Sequence, residues 1–151
     1  QIGAIAPVAG VFAGKQALFV PSGANMLVVE RVGQSAGKLG KLLSVVDAGI
    51  GTDMPMSISE PADFDGDGVT EVAIGAPAHL KSAGTVMFLS EDGKLRKSGL
   101  FGPSGARFGE SVVRLGDLDG DGATDVAVTM PGVQHPGSQF PGSFVVLRRS
   151  L

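Results

Sequence analysis

Two nine-residue segments carry the chemistry of this sequence. The first is Asp63-Phe-Asp-Gly-Asp-Gly-Val-Thr-Glu71, and 54 residues later comes Asp117-Leu-Asp-Gly-Asp-Gly-Ala-Thr-Asp125. Each sets carboxylates at positions 1, 3, 5 and 9: Asp63, Asp65, Asp67 and Glu71 in one, Asp117, Asp119, Asp121 and Asp125 in the other. Position 7, Val69 or Ala123, offers a main-chain carbonyl. Such a set is a cage for a hard cation that takes six to eight oxygen ligands, which suits calcium better than magnesium, an ion that retains more of its water. Two calcium sites are expected, with these ten residues as ligands.

Soft-metal chemistry has no ligands here, because cysteine is absent and His79 and His135 lie outside both segments. The paired glycines, Gly66 with Gly68 and Gly120 with Gly122, allow a tight turn around an ion. An EF-hand would need a bidentate Glu at position 12 between two helices. Position 12 is Ile74 or Val128, and each loop runs on into a short β-branched segment closed by Pro77 or Pro131. A loop between two strands is therefore expected. Eight of the 15 acidic residues sit in the two loops, and the other 7 face 12 basic ones. The net charge of −3 is thus a property of the two loops, and two bound calcium ions would turn it into +1.

The strands that must hold these loops repeat with them. Gly84-Thr-Val-Met-Phe-Leu89 comes after the first loop's strand and Gly142-Ser-Phe-Val-Val-Leu147 after the second's, while Met56-Ser-Ile-Ser-Glu60 and Glu110-Ser-Val-Val-Arg114 precede the loops. Residues 1–7 match 71–77 and residues 14–20 match 84–90, both at an offset of 70, so the chain opens inside a further copy. Against the spacing of 54, that offset leaves roughly 16 surplus residues, placed within 24–39 around Met26-Leu-Val-Val-Glu-Arg-Val32 and expected as a surface hairpin.

With Phe108-Gly109 ahead of Asp117 to Asp125, and Gly75-Ala76-Pro77 after the first loop, the sequence resembles the FG-GAP repeat family, whose members include the calcium-binding propeller blades of integrin α-subunits. The copies depart from the pattern at Met54-Pro55, Thr129-Met130-Pro131 and Ile5-Ala6-Pro7. The resemblance implies an all-β chain of about two and a half four-stranded antiparallel β-propeller blades in an incomplete ring. The organisation it implies is a partial blade over 1–55 with the insert near 24–39, a complete blade over 56–107 and a partial blade over 108–151. The implied strands lie near 1–7, 15–20 and 41–47, then 56–62, 71–77, 84–90 and 94–101, then 108–116, 125–131 and 142–149.

Propellers close with typically four to eight blades, so the unfinished ends are expected to be completed by a protein partner or by self-association. Gly 24 and Pro 9 fit many short strands and turns. The uncharged stretch from Ile2 to Gly14 is too short and too broken by glycine and proline to cross a bilayer, so no membrane insertion is expected. It also lacks the basic start of a signal peptide. Gln at position 1 suggests processing or a fragment. Scattered basic residues without aromatic neighbours argue against nucleic acid.

No catalytic constellation is present: Gly33-Gln-Ser-Ala-Gly-Lys38 is one residue short of a phosphate loop, and Ser104 is not in a nucleophile elbow. The two histidines each come after the Pro that ends a second strand, and read as exposed loop residues. The expected role is a non-enzymatic, calcium-binding module for protein interaction, adhesion or surface assembly, extracellular or at the cell surface, where calcium is abundant. A structural subunit of an extracellular polymer and an accessory propeller of a larger secreted enzyme are the alternatives. The lack of Trp and Tyr lowers the prospect of a lectin.

Overall fold

A computed structural model describes residues 8–22, 25–30, 40–47, 57–137, 139 and 141–149. Eleven strands lie among them: β1 (Val8–Phe12), β2 (Lys15–Ser22), β3 (Asn25–Glu30), β4 (Leu42–Asp47), β5 (Ser57–Ile58), β6 (Glu71–Ala76), β7 (Thr85–Ser90), β8 (Leu95–Phe101), β9 (Val112–Gly116), β10 (Asp125–Met130) and β11 (Ser143–Leu147). They form three antiparallel sheets, ordered β1-β2-β3-β4, β5-β6-β7-β8 and β9-β10-β11. The chain is all-β, and its sheets are partial propeller blades that close no ring.

The middle sheet is covered on both faces, and so every residue of β6 and β7 is buried. Such strands read as continuous apolar runs rather than alternating ones. Val72, Ile74, Ala76, Met87 and Leu89 pack on Phe12, Phe19, Met26 and Val28 of the first sheet. The opposite face, with Ala73, Val86 and Phe88, packs on Val112, Val126, Val128 and Met130 of the third. Among the described residues the outer sheets lack a second cover, leaving Leu42 and Val45 exposed on the first, and Val113 and Phe144 on the third.

The first sheet departs from the sequence expectation in two ways. Met26 and Val28 are fully buried in β3, which is hydrogen-bonded between β2 and β4, so this run is a central strand and not a surface hairpin. Register explains it: Phe19 pairs Val28 as Phe88 pairs Lys97, which makes β3 the counterpart of β8 and β4 the surplus strand. The same pairing puts Phe19 opposite Phe88 in the repeat, an offset of 69 from β2 onward rather than 70. A one-residue difference reverses which side chains enter the core. The strand expected at 1–7 and the rest of the insert, 31–39, lie outside the described residues. Next to β2 stands β1, joined to it through Ala13 and Gly14, both at positive φ, as a two-residue hairpin turn requires.

Phe108-Gly109 and Gly75-Ala76 meet where the third sheet packs on the second. The Phe108 N–H donates to Ala83 O at 3.0 Å, Arg107 N–H to Ser82 O at 2.8 Å, and Ser57 Oγ donates to Gly109 O at 2.8 Å. Gly109 has φ +86, and a Cβ there would lie 2.6 Å from Thr85 O, while one on Gly75 would collide with the Gly109 carbonyl. Two main chains touch with no room for a side chain between them. The receiving turn, His79–Ser82, runs through left-handed backbone at Leu80, Lys81 and Ser82.

Candidate metal centres

Both acidic loops sit at the start of the second strand of their sheet, between β5 and β6 and between β9 and β10. Their own main chain shapes them. In the first, Asp63 Oδ1 accepts from Gly66 N–H at 2.6 Å and Oδ2 from Gly68 N–H at 2.9 Å. Asp65 Oδ1 accepts from Asp67 N–H at 3.1 Å and Asp67 Oδ1 from Val69 N–H at 2.8 Å. The second loop repeats the pattern: Asp117 takes the N–H groups of Gly120, Asp121 and Gly122, Asp119 takes Asp121, and Asp121 takes Ala123. The N–H donors, Gly122 foremost, hold the Asp117 carboxyl below the usual carboxylate range. Gly66, Gly68, Gly120 and Gly122 all have positive φ.

Carboxylate oxygens of Asp63, Asp65 and Glu71 lie within 4.8 Å of one another in the first loop. Glu71 is buried; its Oε2 accepts from Phe64 N–H at 3.0 Å, and its Oε1 has no hydrogen-bond partner. Burial pushes its carboxyl up to about 7, opposed by the Phe64 N–H and reinforced by the charges of Asp65, Asp67 and Asp63. A buried carboxylate with one bare oxygen, facing other carboxylates, is unstable as an anion unless a cation completes it. The donor set is all oxygen and anionic, which fits calcium. Asp67 is outside this cluster, exposed, with Oδ2 3.6 Å from Arg96.

The second loop gathers Asp117, Asp119 and Asp121 within the same limit, but all three are exposed. Asp125 is buried, outside that cluster, and its Oδ2 accepts from Leu118 N–H at 2.9 Å. The contrast has a packing cause. Phe64 is buried and rests on the Phe88 ring 5.4 Å away, whereas its counterpart Leu118 is exposed because no sheet covers the third one. The two loops touch: Thr124 N–H donates to Asp63 O at 2.8 Å. Val69 and Ala123, expected to lend carbonyls, are held through their N–H groups by Asp67 and Asp121.

Three residues beside the loops carried no signal in the loop pattern. Arg96 flanks the first, Arg148 Nη1 stands 3.4 Å from Asp119 Oδ2, and Arg149 Nη1 donates to Asp121 O at 3.0 Å. All reach their loop from later strands, so only the fold brings them near. The histidines join neither cluster: His79 stacks on Phe101 with ring centroids 6.1 Å apart, and His135 Nε2 lies 3.1 Å from Gly142 O.

Residues 63–128 match the family model described as FG-GAP-like repeat. An aligned stretch of 81 residues is 36% identical to integrin alpha-4 of Xenopus laevis. It covers 46% of this chain and 8% of that protein, so the likeness is to a small part of the relative.

Proposed function

Since this chain carries an FG-GAP-like repeat, we propose that it is a calcium-binding, integrin-like propeller segment that serves protein interaction outside the cell or at its surface. One observation carries the calcium reading: the buried Glu71, clustered with Asp63 and Asp65, has an Oε1 with no hydrogen-bond partner. A bound divalent cation would supply the positive charge that these carboxylates lack. Asp63, Asp65 and Glu71 would hold it in the first loop, and Asp117, Asp119 and Asp121 in the second, with Asp67, Val69, Ala123 and Asp125 completing the sets. The protein's own part is to keep each loop open through main-chain N–H donors, so that little ordering remains to be done on binding.

The interaction reading rests on the faces left uncovered. Val113 and Phe144 stand on the open face of the third sheet, opposite the face that packs on the second. Large apolar side chains exposed on one open sheet face favour a contact with protein. The rest of a longer chain, a second copy or a different protein would cover it. Among the described residues no nucleophile–base pair accompanies the loops, which favours a binding role over a catalytic one. Among the same residues no helix is long and apolar enough to cross a membrane.

Calorimetric titration of calcium into the chelator-stripped chain tests the metal half. Uptake is expected in wild type, with Asp65→Ala and Asp119→Ala each removing one site. If neither substitution alters uptake, the assignment of these loops is wrong.

A further inference from the structure

We propose that the two loops are unequal cation sites: the first binds calcium tightly, and in the second Arg148 is a tethered competitor that keeps the site weak. The inference rests on the reading of both loops as calcium sites and adds an order of filling and the residue that sets it.

The inequality begins with burial. In the first loop the position 9 carboxylate, Glu71, belongs to the cluster, is buried, and keeps a bare oxygen. Its counterpart Asp125 is one methylene shorter and stays outside the second cluster, bound to Leu118 N–H. A cation in the first loop would thus be met by a desolvated carboxylate; in the second, the three clustered carboxylates are exposed and their field is weakened by water.

The arginines deepen the difference. Arg148 Nη1 is 3.4 Å from Oδ2 of Asp119, a residue of the cluster itself. Arg149 stands between the loops: it donates to Asp121 O of the second at 3.0 Å, and its guanidinium lies over Gly66 of the first, where a Cβ would come within 2.9 Å of Cζ. Arg149 thus charges both loops, and the difference rests on Arg148, whose contact is with the second cluster alone. Calcium entering must take Asp119 from Arg148 and then share the site with a like charge. Arg96 plays a weaker part in the first loop, although Asp67 is one of the proposed ligands. Its contact, Asp67, is outside the cluster, and Asp92 Oδ2 at 3.9 Å shares its charge.

Arg148 is thus a positioning residue for cation binding, about half exposed and outside the core, so it can be replaced without opening the fold. Calorimetric titration of calcium alone into the chelator-stripped 151-residue chain is expected to show a tight and a weak step, with Asp65→Ala abolishing the tight one and Asp119→Ala the weak one. Arg148→Gln is expected to tighten the weak step by about three- to tenfold, the scale of one exposed ion pair plus like-charge repulsion, and to leave the tight step within about twofold. Arg148→Lys keeps the charge and is expected to leave the weak step weak, which separates competition from a shape effect. Thermal unfolding in chelator checks that each variant is folded. Two steps of equal affinity, or an Arg148→Gln variant whose weak step is unchanged or weaker, would overturn the inequality while leaving the calcium reading intact. A chain that takes up no calcium would sink both.

Discussion

Glu71 shows how a single residue can be a cost in one state and a ligand in another. Its side chain is buried with one oxygen unpartnered, and burial raises its pKa to about 7, so in the absence of a cation the anion is a burden on the fold. Glu71→Gln keeps an acceptor for Phe64 N–H and removes the buried charge. In excess chelator near pH 8 the variant is expected to melt no lower than wild type, and about 2–4 °C higher if relief of the charge is worth about 1 kcal/mol. With calcium the order should reverse. A site filled at about a hundred times its Kd adds roughly 2.7 kcal/mol, or about 5–10 °C for a domain of this size, and the variant should lose most of that gain at the first loop. A variant that melts well below wild type in chelator would show that Glu71 is held by something other than a missing cation. The loop residues were legible in sequence because consecutive acids and glycines suffice to state a cage. Arg96, Arg148 and Arg149 were not, since their places depend on strands that return to the loops from elsewhere in the chain.

At the scale of elements, the Phe-Gly and Gly-Ala-Pro signatures turn out to be two sides of one junction. Gly109 sits at φ +86 with Thr85 O where a Cβ would go, and Gly75 faces it across the sheets. Gly109→Ala is therefore expected to destabilise by about 2–4 kcal/mol, because backbone strain and a main-chain clash act together. Gly137→Ala is the control: φ is +80 but nothing lies within 4 Å, so only the conformational cost of about 1–2 kcal/mol applies. Denaturant unfolding of the two variants measures the difference, and equal losses would mean that the junction tolerates a methyl group. The strands flanking the loops were readable from β-branched runs ended by Pro, and β5 to β11 fall where the repeats put them. The first sheet was harder. Residues 14–20 align with 84–90 almost as well at either of two offsets, and only hydrogen-bond register shows that Phe19 answers Phe88 and that β3 answers β8. Sequence similarity cannot see the pleat, so it took a core strand for a surface insertion.

At the scale of the molecule, the decisive fact is an uneven distribution of cover. The middle sheet is buried on both faces, and the third repeats its strands with the outer face bare. Phe144 is the counterpart of buried Val86, yet it is 66% exposed, and Val113, two strands away on the same face, is 50% exposed. Stacked repeats cannot bury such a face alone, and we propose that a second copy covers it with the exposed face of its own first sheet, with Leu42 and Val45. A head-to-tail contact of that kind is heterologous, and it closes into a ring or runs on as a chain of copies according to the angle between neighbours. Light scattering on a sizing column in millimolar calcium, with protein at tens of micromolar, is expected to give a mass above 15.2 kDa that falls with dilution. Phe144→Lys, which sets a charge on the open face without touching either loop, is expected to return the chain to a single copy while leaving calcium uptake unchanged. A wild-type chain that stays at 15.2 kDa throughout would rule out the second copy and leave a longer chain or a different protein as the cover. A Phe144→Lys variant that still associates would move the contact off the third sheet, to the faces and edges of the first.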